Sequence, residues 1–434
     1  MNKEILRLAV PNIISNLAIP MLSAVDTALM GHLESEVYIG AIGVGSAIFN
    51  FIYWGFGFMR MGTTGLTAQA FGEQNQSEIS AILYRVGVLS VILGFALIAL
   101  QFPLLKASLW FFDSSEEVSG LTAEYFNIRI WAAPATISIY AITGWFLGMQ
   151  NARYPLILAV FVNVANIGFN LLFIKVFGMK SDGVALGTVI AQYLGLILGF
   201  GLLVGKYRKQ LHSFKRKAVL KIDALKRFFA VNFDIFIRTL CLIFTFNFFI
   251  AESGNYGDSV LAANVILLQF MAFLSYGVDG FAVAAESLVG RFFGSAEQTK
   301  LNQSIKLSFM WALGFGLVFS LCFFFGGELL LHIFTDKQHI IQEASHFIKW
   351  IVVMCFVNTV AFVWDGVFIG LTASKAMRNT MIISTLGFFL FPYYALGNWL
   401  GPHSLWIAML LFMSARSVSL SWIYWWKLRV TPKP

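Results

Sequence analysis

The sequence consists largely of long apolar runs separated by short polar segments. We interpret twelve runs as membrane-spanning helices, at residues 8–30, 38–60, 80–102, 122–148, 155–177, 183–205, 229–252, 259–284, 305–326, 345–371, 379–400 and 404–426. About 20 apolar residues in helical form cross the hydrocarbon core of a bilayer. Only 12% of the 434 residues are charged, against about 25% in an average soluble domain. The sequence therefore predicts an all-α polytopic membrane protein.

Basic residues are concentrated on one side of the predicted helices. With the N-terminus in the cytoplasm, the inner segments hold 21 Lys and Arg residues and the outer loops hold 4. Cytoplasmic loops carry such an excess, so we expect both termini to be cytoplasmic. This topology accounts for the net charge of +8, and we expect no nucleic-acid partner. The basic loop 206–227 is interpreted as a linker that lies over anionic membrane lipid.

An internal repeat with an offset of 222 residues relates the two halves of the chain. The segment Trp54–Gly72 aligns with Tyr276–Gly294, and Thr143–Arg153 aligns with Asp365–Lys375. A shared offset in two places favours a true repeat over chance similarity.

The repeat predicts two pseudo-symmetric six-helix bundles, at 1–205 and 228–434, joined by the cytoplasmic linker 206–227. Because six is even, both halves begin on the cytoplasmic side, and we expect an axis along the membrane normal to relate them. A substrate cleft between such bundles, with alternating access by rocking, is typical of transporters.

The first predicted helix is unusually polar for a membrane span. Pro11 and Pro20 interrupt its hydrogen bonding and are interpreted as hinges. A carboxylate such as Asp26 costs about 2.5–3.5 kcal/mol near the bilayer centre, so we expect it to face a cavity. The alternative is that Asp26 lies at the helix end among lipid headgroups. The run is too long and too polar for a cleavable signal peptide, and we expect it to be retained.

The fifth predicted helix carries Asn163, Asn166 and Asn170 at spacings of three and four residues. This spacing puts them on one helix face. Thr188 in the sixth helix and Tyr140 in the fourth are expected to join them in a pocket with the acid of the first helix. Amide and hydroxyl groups can bind a carboxylate in either protonation state. The alternative is that the asparagines only hold helices together.

The C-terminal half has its own charged residues within apolar runs. Asp234 and Arg238 are four residues apart and are predicted to pair. Asp365, in the tenth run, is a functional candidate because an ionisable group is costly there. Asp279 and Glu286 share one face of the eighth helix, and a structural and a functional role are both open. Three arginines near the ends of apolar runs are expected to extend toward the interface: Arg60, Arg129 and Arg416.

Motifs of enzymes and of ATP-driven pumps are missing from the sequence. The six histidines are scattered, and the three cysteines show no disulfide or metal spacing. No Gly-rich nucleotide loop or nucleophile elbow stands out. We therefore expect no catalytic residue, no metal motif and no cofactor. The 45 Phe, 12 Trp and 14 Met residues include side chains suited to a cavity for bulky, flat, cationic organic compounds.

Five short motifs spread over the chain carry a family resemblance. The first helix contains Pro11, the triplet Val25–Thr27 and Gly31. The other four motifs are Asp234–Arg238, Ala262–Gln269, Asp279–Glu286 and Trp364–Asn379. With these motifs the chain resembles the multidrug and toxic compound extrusion family, and within it the DinF-like branch.

The resemblance implies an antiporter that expels organic compounds in exchange for protons or sodium ions. It assigns cation coupling to Asp26, with Asn166, Thr188 and, more loosely, Tyr140 in the same network. A sodium ion at Asp26 is the alternative to a proton. The resemblance also implies the bacterial inner (plasma) membrane and small organic substrates, and we expect a monomer.

The sequence departs from the family pattern at one position. Some prokaryotic relatives carry a second aspartate where this chain has Asn170. Coupling is therefore expected to rest on Asp26 alone or to be shared with Asp365, which matches an acidic position of another branch.

Three other functions are open at this point. A flippase for lipid-linked precursors would share the two-bundle architecture, but it would need a cationic cavity, whereas the embedded charges are mostly acidic. An integral-membrane enzyme would need a metal cluster or nucleophile, and a passive channel is disfavoured by the two-fold repeat.

Overall fold

The computed structural model describes residues 1–30, 36–112, 115–212 and 216–428. Within these ranges the side chains of residues 19–30, 36, 39, 212, 216 and 398 are not described. Every regular element in the described ranges is a helix, and none is a strand. The prediction of an all-α protein is confirmed.

Seventeen α-helices make up most of the described chain. They are α1 (Asn2–Met30), α2 (Glu36–Gly55), α3 (Phe58–Gly72), α4 (Gln76–Ala99), α5 (Gln101–Phe112), α6 (Glu116–Arg129), α7 (Ala133–Gly148), α8 (Arg153–Lys175), α9 (Ser181–His212), α10 (Arg216–Val219), α11 (Ile222–Gly254), α12 (Asp258–Gly294), α13 (Gln298–His332), α14 (Gln338–Gly370), α15 (Ser374–Ile383), α16 (Phe391–Leu400) and α17 (His403–Ile423). A π-helical segment, Ser384–Leu390, connects α15 to α16.

Eleven helical stretches among the described residues are long and apolar enough to cross a membrane. They correspond to the second through twelfth predicted spans, and α1 covers the first. Several helices extend beyond the apolar runs: α9 ends at His212 and α12 at Gly294, instead of 205 and 284. Hydropathy marks only the part of a helix inside the hydrocarbon core, so such polar extensions escape prediction.

The short helix α5 lies almost entirely between the third and fourth predicted spans, where no helix was predicted. Its twelve residues are too few to span a bilayer, and none of them is buried. Trp110 and Phe111 at its end are largely exposed, as is typical of aromatic residues at a membrane interface.

The helices cluster into two compact units. The N-terminal unit contains Ile14–Lys226, and the C-terminal unit contains Arg227–Pro434 together with Met1–Ile13. In the N-terminal unit α3 and α4 pack on α7, and α8 packs on α9. In the C-terminal unit α12 and α17 pack on α14, and α13 packs on both α12 and α14.

Each unit contains a glycine that lies directly against the backbone of a neighbouring helix. A methyl group on Gly144 of α7 would overlap the carbonyl oxygen of Arg60 on α3. A methyl group on Gly366 of α14 would overlap the carbonyl oxygen of Ala282 on α12. Both glycines and both partners are 222 residues apart, so the offset found in the sequence recurs in the packing of the helices.

The same relation holds one helical turn later. Gly148 lies against the carbonyl oxygen of Thr64, and Gly370 lies against that of Glu286. Such close contacts between helix backbones require residues without side chains. They fix the register of α7 on α3 and of α14 on α12.

Candidate functional site

A stripe of glycines on α9 faces α8 within the N-terminal unit. Side chains of α8 lie within contact distance of a methyl group built on each glycine of this stripe, which consists of Gly183, Gly187, Gly195 and Gly199. Small residues at four-residue spacing allow two membrane helices to approach closely. This packing brings the polar face of α8 against α9.

A line of buried hydrogen bonds runs across the α8–α9 contact. Asn170 Nδ2 donates to Asn166 Oδ1 at 3.0 Å, and Asn166 Nδ2 donates to Thr188 Oγ1 at 2.8 Å. The Thr188 hydroxyl donates to the carbonyl oxygen of Val184 at 2.9 Å. The three side chains are 0%, 2% and 7% exposed. We call Asn166, Asn170 and Thr188 the polar line; the structure brings these three predicted site residues together.

Gly187 leaves room for the end of the polar line. A methyl group at this position would overlap Oδ1 of Asn170. Asn170 therefore owes its position to a missing side chain on the facing helix. Sequence reasoning missed Gly187, although the four-residue glycine spacing on α9 was a readable signal.

Asn163 connects α8 to the first helix. Its Nδ2 donates to the carbonyl oxygen of Ala18 at 3.4 Å, so α1 lies beside the polar face of α8. The backbone of α1 is helical from Asn2 to Met30, through Pro11 and Pro20. The hinge role of both prolines stays a prediction. The side chains of Pro20 and Asp26 lie outside the described residues.

Tyr140 does not join the polar line. It is half-buried on α7, and its hydroxyl makes no hydrogen bond with Asn166, Asn170 or Thr188 in the described part of the chain. Helix spacing alone could not decide this, because α7 and α8 meet at an angle that sequence does not specify.

A second buried polar cluster lies in the C-terminal unit, where three helices meet. Arg238 on α11 and Arg416 on α17 both donate through Nη2 to Oδ2 of Asp365 on α14. The distance from Arg416 Nη2 to Asp365 Oδ2 is 2.6 Å. We call these three residues the arginine cluster.

The predicted pairing of Asp234 with Arg238 is wrong. Asp234 instead accepts a hydrogen bond from Arg378 Nη1 at 2.6 Å and one from the Ser374 hydroxyl at 2.9 Å. A four-residue spacing only makes a pair within one helix possible. Here α15 offers Asp234 two partners, and Arg238 reaches Asp365 on α14.

The predicted interfacial position of Arg416 is also wrong. Arg416 is 1% exposed, its guanidinium lies 5.4 Å from the centre of the Phe412 ring, and its Nη1 contacts the Met413 sulfur at 3.1 Å. Burying an unpaired charge would be costly, but Asp365 and the face of the Phe412 ring both attract the Arg416 guanidinium and stabilise it in the interior.

The remaining acidic candidates lie on α12. Asp279 is half-buried and Glu286 is 2% exposed. They lie two helical turns apart on one face, as their spacing predicts.

The MatE family model matches residues 11–172 and 235–394. The two matched segments together cover most of the chain. The chain belongs to the MatE family. It is 33% identical over 425 residues to DNA damage-inducible protein F of Escherichia coli, covering 98% of this chain and 92% of that protein. It is 27% identical over 351 residues to the probable multidrug resistance protein NorM of Thermotoga maritima, covering 78% and 74%.

A solved structure shares the fold of this MatE protein. It is the outward-facing conformation of a multidrug resistance MATE family transporter, with a TM-score of 0.87 and 18% identity over 97% of this chain and 94% of that one. The matches confirm the resemblance to the extrusion family and to its DinF-like branch. This MatE protein is a multi-pass efflux transporter, not an enzyme.

Proposed function

We propose that this transporter exchanges cytoplasmic organic compounds, chiefly amphipathic cations, for an inward-moving proton or sodium ion. The coupling site consists of Asp26 and the polar line of the N-terminal unit. The observation that carries the proposal is that Asn170, Asn166 and Thr188 form a continuous buried hydrogen-bonded line. Such a line in an apolar unit is suited to stabilising a neighbouring carboxylate that changes charge.

Helix register supports a position of the Asp26 backbone near the polar line. The contact from Asn163 to Ala18 sets α8 beside α1. Asn170 lies seven residues after Asn163, which is about 10.5 Å along a helix. Position 26 lies eight residues after Ala18, which is about 12 Å. Since the first and fifth predicted spans run in the same direction, both positions are at a similar level.

Asp365 of the C-terminal unit is poorly suited to bind the coupling ion. Asp365 already accepts hydrogen bonds from two guanidinium groups on a single oxygen. A proton or sodium ion at the second oxygen, Oδ1, would be a third cation beside two guanidinium groups, and repulsion among the three disfavours its binding. We therefore assign coupling to Asp26 and not to Asp365.

The transport cycle follows from competition between ion and substrate. In the outward-facing state Asp26 takes up the ion, and the loss of its charge changes the hydrogen bonding along α1. Pro11 and Pro20 allow α1 to bend, and this bending releases the substrate outward. Ion release to the cytoplasm completes the cycle. Coupling requires only that ion and substrate favour different conformations.

The remaining expectations concern the cellular setting. We propose a monomer in the bacterial inner membrane, with both termini and the basic linker on the cytoplasmic side, where anionic lipid attracts Lys and Arg. The comparisons with known proteins do not favour a flippase.

Efflux from proteoliposomes tests the proposal. Wild-type protein should export ethidium, a fluorescent organic cation, when a pH gradient or a sodium gradient is imposed. The gradient that drives export identifies the coupling ion. Asp26→Asn should lose at least 90% of gradient-driven export while inserting normally. Asp182→Asn, which changes a half-buried acid in the first turn of α9, is the control. Full export by Asp26→Asn against a gradient would rule out coupling at Asp26.

A further inference from the structure

The arginine cluster contains more positive than negative charge. Arg238, Asp365 and Arg416 are 5%, 6% and 1% exposed, so the cluster holds two guanidinium groups and one carboxylate away from water. The nearby pair Asp234–Arg378 is balanced by itself. Buried charges in proteins are normally matched by a partner of opposite sign.

The two guanidinium groups also retain unused donors. Nε of Arg238 and Nε of Arg416 are both buried, and neither has a hydrogen-bond partner within the described residues. In arginine, Nε and one terminal nitrogen form the edge that binds both oxygens of a carboxylate. Each arginine contributes one Nη2 to Asp365 Oδ2, so a donor on each side chain is still available.

A buried amide on the same helix face as Asp365 has no partner either. Asn358 lies seven residues before Asp365 on α14 and is 1% exposed. Neither its Nδ2 nor its Oδ1 finds a hydrogen-bond partner among the described residues. The neighbouring carbonyl of Val357 accepts a hydrogen bond from Ser417 at 3.1 Å, next to Arg416 on α17. Unsatisfied polar groups thus lie along the contact between α14 and α17.

We propose that the arginine cluster is a binding site for a small monovalent anion, either a halide or the carboxylate of an organic acid. Such an anion balances the second guanidinium charge and accepts hydrogen bonds from both Nε groups. The site goes beyond the cation coupling proposed above, because it lies in the other unit and involves none of the polar line. Asp365 competes with the anion, because it already binds one Nη2 group of each arginine.

Anion dependence of the wild-type protein provides the first test. Purified protein is heated at constant ionic strength in sodium isethionate, a sulfonate, with chloride, bromide or acetate replacing isethionate stepwise. The unfolding midpoint should rise in a saturable manner with chloride and bromide for a halide site, or with acetate alone for a carboxylate site. In the halide case, crystals grown in bromide should show an anomalous peak within hydrogen-bond distance of Arg238 and Arg416.

Removing the competing carboxylate provides the second test. Asp365→Asn should bind the same anion at least fivefold more tightly in the unfolding titration, because both guanidinium groups become free. Asp234→Asn, which removes the acid of the balanced pair, should respond like wild type. An unchanged wild-type midpoint in all four anions overturns the proposal, even if Asp365→Asn does not fold. An equal or weaker response of folded Asp365→Asn overturns it as well.

Discussion

At Gly187 the space for one methyl group decides whether Asn170 can take its place in the polar line. The asparagine oxygen occupies the position that a Cβ atom would need. Neither helix can retreat easily, because the rest of the glycine stripe holds α8 and α9 together. The site therefore depends on a residue that contributes no functional group of its own.

Replacing this glycine should damage both folding and transport. Gly187→Ala is expected to lower the free energy of unfolding by about 1–3 kcal/mol, as overpacked interiors do. It should also lower gradient-driven efflux, because Asn170 is displaced from Asn166. Thermal unfolding in detergent and ethidium efflux from proteoliposomes measure the two effects.

The control for this substitution lies on the same helix. Among the described residues no atom lies within 4 Å of a methyl group at Gly201, so Gly201→Ala should be neutral or stabilise by about 0.5–1 kcal/mol. If Gly187→Ala matches Gly201→Ala in stability and efflux, the packing role assigned to Gly187 is incorrect.

Two pairs of helices, α3–α7 and α12–α14, use the same close contact in the two units. Gly144 lies on the Arg60 carbonyl and Gly366 on the Ala282 carbonyl. Backbone oxygen atoms cannot rotate away as side chains can, so the helices themselves must separate when a methyl group is added.

The repeat predicts equal sensitivity at these two glycines. Gly144→Ala and Gly366→Ala should each destabilise by at least about 1–3 kcal/mol. Gly314→Ala on α13 is the matched control, because a methyl group there lies within 4 Å of no atom in the described part of the chain. The unfolding midpoints of the three variants measure these effects. A large loss of stability at one repeat position with no loss at the other would contradict equivalent packing in the two units.

Local spacing predicted much of the architecture but few of the contacts between distant residues. The apolar runs indicated the spans because the bilayer imposes their length, and the three-to-four spacing put Asn163, Asn166 and Asn170 on one face. The partners of Asp365 were not predictable, because Arg238 and Arg416 lie 127 and 51 residues away. Nothing local distinguishes Arg416, buried in the interior, from an arginine at the interface.

At the scale of the whole molecule, the two units differ in the charge of their buried polar groups. The polar line of the N-terminal unit consists of neutral amides and a hydroxyl, which suits a neighbouring acid that gains and loses a cation. The arginine cluster of the C-terminal unit has its acid already bound by two cations. In the proposed scheme, the first arrangement leaves Asp26 available to a coupling ion, whereas the second has its carboxylate bound by two arginines.

Ion release on substrate binding tests this assignment most directly. In the proposed cycle ion and substrate favour different conformations, so substrate binding should weaken ion binding by the same factor as ion binding weakens that of the substrate. Ethidium is added to purified protein in weakly buffered detergent solution, and released protons or sodium ions are measured for wild type, Asp26→Asn and Asp365→Asn. We expect release from wild type and Asp365→Asn and none from Asp26→Asn. Release that persists in Asp26→Asn and disappears in Asp365→Asn would contradict the assignment of coupling to Asp26.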